Sequence, residues 1–182
     1  MADINFVAER SSPAGSASET VTGPDEPYYD LIEMLFFAYR AFVGDADGML
    51  ARYGFGRAHH RALHFVARHP GITVAELLDI LKITKQSLGR VLRELVETGY
   101  VIQREGHADR RQRLLYLTDK GAKLAADVAS VQTGRLMRAL ADSGETRDGA
   151  YRLLLGLVDT DQRREVERLI ARGNSNRRDR HK

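Results

Sequence analysis

The sequence predicts a mainly α fold (α+β), in which helices carry one short β-hairpin among them. Three observations predict it. Apolar residues recur at spacings of three and four over most of 28–172, which is the period of one helix face. Threonines stand where helix N-caps belong, and a glycine closes one helix where a left-handed residue would end it. Two runs, Tyr100-Val101-Ile102 and Leu114-Leu115-Tyr116-Leu117, are too short for helices and rich in strand-favouring side chains.

The elements follow in order. Residues 1–27 hold five acids against Arg10, a net charge of −4, with few bulky apolar side chains. That composition predicts a disordered tail. Tyr28, Leu31, Ile32, Leu35, Tyr39, Phe42 and Val43 form one stripe, so a helix is expected over about 28–52, ended by Tyr53-Gly54-Phe55-Gly56. A second helix, about 57–68, turns Ala58, Ala62, Leu63, Val66 and Ala67 inward and stops at His69-Pro70-Gly71. Thr73 and Glu76 form a capping-box pattern ahead of a short helix bearing Leu77, Leu78 and Leu81. Thr84 caps the next helix, whose inner face is Leu88, Val91, Leu92 and Leu95, and Gly99 ends it. The hairpin comes next, its loop crowded with arginines. Thr118 caps a long helix reaching about residue 141 through Val128, Val131, Leu136, Met137 and Leu140. SGETRDG is a turn, and a single last helix is expected over about 149–172. Residues 173–182 read as a basic tail; Arg172–Lys182 holds five Arg/Lys against one Asp, a net charge of +4.

Composition narrows the function. The chain has 182 residues, a formal net charge of +3 and no cysteine. Disulfides, thiolate catalysis, Cys-based zinc sites and thiol redox sensing are excluded. No signal-peptide pattern is visible, and no apolar run approaches the roughly 18–20 residues of a membrane span, so a cytoplasmic protein with no membrane partner is expected. No phosphate-cradling glycine loop, nucleophile elbow or cofactor fingerprint appears, so an enzyme is not expected.

The middle of the chain is ordered as a short helix, a tight link Lys82-Ile83, a second helix and a charged hairpin. This is a winged helix-turn-helix, over about 57–118, and its second helix fits a DNA major groove. With its leucines and valine inward, that helix turns Lys85, Gln86, Gly89, Arg90 and Arg93 outward, with Ser87 at the margin. Gln86 and Arg90 have the donors and acceptors to read bases; Lys85, Ser87 and Arg93 suit phosphate, with Thr84 at the cap. Gly89 in mid-helix either lets the helix approach DNA closely or lets another helix pack tightly. Across 84–113, seven bases stand against four acids, a net +3. Asp109 is out of place in a loop facing phosphate. Pairing with Arg111 would fix the loop so that Arg110 or Arg111 enters a minor groove.

These residues resemble the MarR family of bacterial winged-helix regulators. The wing Asp109-Arg110-Arg111-Gln112-Arg113-Leu114-Leu115-Tyr116-Leu117-Thr118, continued by Asp119-Lys120-Gly121, is similar to the family's hallmark, and TVAELLDILKITKQSLGRVLRELVETGYV to its helix-turn-helix. The resemblance covers about 28–172. LFFAYRAF and GRAHHRALHF also resemble the PetP-type branch. The resemblance implies a homodimer: an α-helical dimerisation lobe, from helices about 28–52 and 119–172 of both copies, carries two winged helices. The flanking helices also hold more apolar surface than one chain hides, which makes a partner helix favourable. Twofold symmetry implies a pseudo-palindromic operator with recognition helices about 34–36 Å apart. Family members usually repress, and a small-molecule effector, often an aromatic acid or phenol, binds between the lobes. Phe36, Tyr39, Arg40, His60 and His64 are the residues expected to line such a pocket, whereas Arg113 belongs with Arg110, Arg111 and the basic residues of the second helix on the DNA side.

Histidines 59, 60 and 64 share one helix, and His60 and His64 lie four apart on one face. No complete ligand set accompanies them, so surface or interface histidines are the plainer reading and no metal or cofactor is assigned. A metal- or haem-responsive regulator using His60 and His64 is one alternative. A winged-helix adaptor that binds protein is the other.

Overall fold

The computed structural model describes residues 27–106 and 112–179. Its elements are α1 (Tyr29–Ala51), α2 (Arg57–Arg68), β1 (Ile72–Thr73), α3 (Val74–Leu81), α4 (Lys85–Glu97), β2 (Val101–Glu105), β3 (Arg113–Leu117), α5 (Asp119–Ser143), α6 (Arg147–Gly156) and α7 (Arg163–Asp179).

Threonine hydroxyls start four of the helices. Thr73, Thr84, Thr118 and Thr146 accept from the backbone N–H groups of Glu76, Ser87, Gly121 and Gly149. Each satisfies a donor the helix cannot, and such a cap stabilises by about 1 kcal/mol. At α3 the box closes both ways, because Thr73 N donates back to Glu76 Oε2 at 2.8 Å. Gly99, at φ +75°, ends α4 and turns the chain into β2.

The core forms where these elements meet. Leu50 of α1, Leu63 and Val66 of α2, Leu77 and Leu81 of α3, Leu88 and Leu95 of α4, Val101 of β2 and Leu115 of β3 are fully buried. Leu124 and Val128 close it from α5. The winged-helix lobe thus has its own interior. The outer lobe does not: α1 is exposed from Tyr29 to Arg40, and α6 buries no residue.

The sheet is antiparallel in the order β1-β3-β2, with Ile72 opposite Leu115 and Val101 opposite Leu117. β1 was not expected, since two residues show no period. Gly71, at φ +82°, makes it possible by donating its N–H to Leu115 O at 2.8 Å. β2 runs three residues beyond Ile102 because Gln103, Arg104 and Glu105 occupy an exposed edge, where polar side chains cost nothing.

Two expectations at the C-terminal end need correction. The single helix over 149–172 is broken into α6 and α7. Gly156 and Asp159-Thr160-Asp161 are weak helix formers, and Asp159 O accepts instead from Gln162 N and Arg163 N. Arg163 seals the break, donating from Nε to Val158 O and from Nη2 to Gly156 O. The helix also continues past 172 to Asp179, so 173–179 is not a separate tail. Asn174 and Asn176 bond to Arg68, which holds those turns against α2. The expected N-terminal tail, the wing residues 107–111 and the last three residues lie outside the described residues. Among the described residues no helix is long and apolar enough to cross a membrane.

Candidate nucleic-acid interface

α4 is anchored by Leu88, Val91, Leu92 and Leu95, and this sets its opposite face outward. Lys85, Gln86, Ser87, Gly89, Arg90 and Arg93 are all exposed. The side chains of Lys85, Gln86, Arg90 and Arg93 make no hydrogen bond or ion pair with any other described residue. Among the described residues, four long donor side chains are thus available to a ligand. Thr84 is committed to the cap: its Oγ1 accepts from Ser87 N at 3.1 Å and donates to Ser87 Oγ at 2.9 Å. The turn before it is tight, because Lys82 sits in the left-handed region at φ 50° with its ammonium 2.5 Å from Asp79.

A Cβ at Gly89 would find nothing within 4 Å among the described residues, so packing of another helix of this chain does not require the glycine.

Two residues of α2 fasten this reader. His59 Nδ1 accepts from Gly56 N at 3.2 Å, which places the proton of a neutral ring on Nε2. Nε2 lies 2.7 Å from Glu94 Oε2 of α4, and the ring stacks on Phe55. An acid on the recognition helix is thus satisfied from behind. Arg61 Nη2 donates to Leu81 O at 2.9 Å, capping the end of α3. The sequence offers surface or interface histidines here; the partner of His59 is 35 positions away and no local pattern announces it.

On the wing, Arg113 Nη1 is 3.0 Å from Glu105 Oε1, its register partner across the hairpin. Both side chains are about half exposed, so the pair is weak and a phosphate competes readily for the guanidinium. Arg104 lies over the Tyr116 ring at 5.0 Å. Asp109, Arg110 and Arg111 fall outside the described residues.

The five residues expected to line an effector pocket are not brought together in one chain. Phe36 is 70% exposed on α1. Arg40 lies over Phe37 at 4.9 Å, and Tyr39 lies under Arg57 at 5.9 Å. His60 is buried near Gln132, and burial lowers its pKa below the ordinary imidazole value against the opposing pull of Gln132 and Asp47. His60 and His64 do share a cavity, with Leu50, Leu63, Ala125, Val128 and Ala129, but its volume is about 10 Å³. That holds no more than one water. Among the described residues no three metal-ligating side chains converge.

The model of the MarR family matches residues 53–112, the span from the turn before α2 to the residue before β3. The chain is 41% identical over 164 residues to the HTH-type transcriptional regulator PetP of Rhodobacter capsulatus, covering 90% of this chain and 98% of that one. This protein belongs to the MarR family. Solved structures agree on the fold. A MarR family transcription regulator, SP03579, superposes with a TM-score of 0.59 at 20% identity, covering 71% of this chain and 86% of the other. The transcriptional regulator SlyA superposes at 0.58 with 19% identity, covering 75% and 94%. The relatives of this MarR-family chain are transcriptional regulators and not enzymes.

Proposed function

We propose that the protein is a sequence-specific repressor that binds a pseudo-palindromic operator in double-stranded DNA as a homodimer and is released by a small-molecule effector. The observation that carries this is the face of α4: Lys85, Gln86, Arg90 and Arg93 project together, unpartnered, from a helix anchored on a dry core. Gln86 and Arg90 sit where base edges would be read, and Lys85 and Arg93 where phosphates would be held.

The second copy is supported by the surface that one copy leaves open. Leu31, Phe36 and Phe37 of α1, Met137 of α5, Leu153 of α6 and Leu157 just past its end are all more than half exposed. Burying each such side chain stabilises by about 1.5–3 kcal/mol, so their number favours an interlocked pair. The effector site then belongs to the assembled pair: Phe36, Tyr39 and Arg40 come beside the His60–His64 helix when a second α1 covers them.

Selection from a random duplex library by the purified protein tests the reading. The expected product is an inverted repeat with half-sites about one helical turn apart, bound less tightly as salt rises from about 50 to 200 mM. Selection of no duplex, or binding indifferent to salt, overturns it and favours a protein-binding adaptor.

A further inference from the structure

α7 returns to the winged helix after the exposed α6, and it touches down at one place. Arg172 Nε donates to His69 Nδ1 at 3.3 Å, and Arg172 Nη1 lies 3.3 Å from Glu76 Oε1. One residue on, Gly173 is buried against Arg68. A Cβ at 173 would come 2.8 Å from Arg68 Nη2 and 3.0 Å from its Cζ. Glycine inside a helix weakens it, so this one marks a close approach. Arg68 Nη2 donates to Asn174 Oδ1 at 2.6 Å, and Asn176 Nδ2 to Arg68 O at 3.1 Å. Elsewhere α7 stands off α3 across a groove of about 310 Å³.

The groups that α7 grips have a second job. Glu76 is the capping-box acid of α3: its Oε2 takes Thr73 N and Thr73 Oγ1, leaving Oε1 for Arg172. His69 is only 4% exposed and ends α2. Its Nδ1 accepts from Arg172, so the ring is neutral with its proton on Nε2. Burial and the charges of Arg172, Arg68 and His64 all hold it neutral, against a smaller opposing effect of Glu76. The clasp therefore closes on the first turn of α3, at the opposite end from the turn into the DNA-binding helix.

We infer that Arg172 is a positioning residue for DNA recognition: with Gly173 it clasps α7 to α2 and the first turn of α3, so that the outer lobe sets the angle of the helix-turn-helix. The inference rests on the DNA-binding reading above. The path is short. α6 buries no residue in its own chain, and a six-residue link pinned by Arg163 joins it to α7. A shift of α6 against whatever covers it is carried down α7 to Glu76. Arg172 is occupied by His69 and Glu76 and contributes no contact to the duplex.

The test compares the full-length chain with Arg172→Ala, Arg172→Lys and Gly173→Ala. Amide hydrogen exchange without DNA comes first. Arg172→Ala and Gly173→Ala are expected to speed exchange in α7 and in the first turn of α3, leaving α4 and α5 unchanged. For Gly173→Ala this runs against the gain in helix propensity: the guanidinium can swing aside, but only by giving up Asn174, so faster exchange reports the loss of that bond. Arg172→Lys keeps a cation beside Glu76 and is expected to rescue in part. Unchanged exchange in α3 for both alanine variants overturns the clasp, whatever DNA does. The second readout is affinity for a duplex selected by the wild type. Arg172→Ala is expected to lose about five- to tenfold, the size of a modest coupling between sites, with the slope of log K against log salt unchanged. A slope reduced by about 0.9 makes Arg172 a phosphate contact and overturns its role. If the wild type selects no duplex, the DNA reading fails while the exchange result still judges the clasp.

Discussion

Gly121→Ala isolates how the winged helix is fastened to the long helix α5. Alanine favours a helix over glycine by about 1 kcal/mol, so local propensity alone says the variant is more stable. The structure says otherwise. A Cβ at 121 would fall 2.0 Å from Tyr100 O and 3.0 Å from Tyr100 C. That neighbour is backbone, in the chain entering β2, and it cannot rotate away. It is also pinned: Tyr100 O accepts from Thr118 N at 3.1 Å, Thr118 Oγ1 donates to Gly99 O at 2.7 Å, and Lys120 Nζ donates to Thr98 O at 3.0 Å. Restoring ordinary contact needs a movement of more than ~1 Å, which loosens the Thr118 cap. Overpacking costs about 1–3 kcal/mol and the cap about 1 kcal/mol. Less the propensity gain, Gly121→Ala is expected to destabilise by about 1–3 kcal/mol. Urea unfolding followed by circular dichroism, at one protein concentration because association adds to stability, reads this as a lower midpoint with an unchanged slope. Gly149→Ala is the control. Its Cβ would also meet an oxygen, at 2.1 Å, but that oxygen is the end of the exposed, flexible Glu145 side chain. A midpoint at or above wild type for Gly121→Ala, with Gly149→Ala no different, would refute the packing account.

Three further outcomes are expected. Gly89→Ala meets nothing among the described residues, so it raises stability by up to about 1 kcal/mol, read as a higher urea midpoint, while weakening binding to a selected duplex; unchanged affinity would separate Gly89 from the DNA surface. Arg90→Ala costs about 1–3 kcal/mol on the selected duplex and much less on random DNA, measured by fluorescence anisotropy at fixed salt, and equal losses on both would reduce Arg90 to a phosphate contact. His69 has a folded pKa lowered from 6.5 to about 4, chiefly by burial. Between those values the unfolded chain binds the extra proton, so this contribution, at most ~3 kcal/mol, is complete above about pH 6.5 and is lost as the pH falls towards 4. Unfolding midpoints across that window are expected to fall for wild type and to fall less for His69→Gln, and parallel curves would contradict the assignment.

What was legible in the sequence is what short-range physics decides. The inward leucines of α4 fix its phase, and the phase alone puts Gln86 and Arg90 outside. The caps at Thr73, Thr84 and Thr118 were readable because each bonds a backbone group three residues away. Pairings that fold over distance were not. Nothing near His59 points to Glu94, and Arg113 reads as a free cation until the hairpin register sets Glu105 opposite it. The break between α6 and α7 was hidden because Leu154, Leu155, Val158 and Val166 keep helical spacing across it, while the weak helix formers between them decide the backbone. The pocket expected around Phe36, Tyr39, Arg40, His60 and His64 joins a surface helix to a buried one, and one chain holds only about 10 Å³ between the two histidines. Periodicity reports that a face is apolar, not which chain covers it.

Hydroxyl-radical footprinting of the full-length protein on a duplex it selects tests the central claim most directly. Two protected patches on one face of the DNA, centred about one helical turn apart and both lost in Arg90→Ala, are the predicted result. One isolated patch, or protection that survives Arg90→Ala unchanged, would contradict the account.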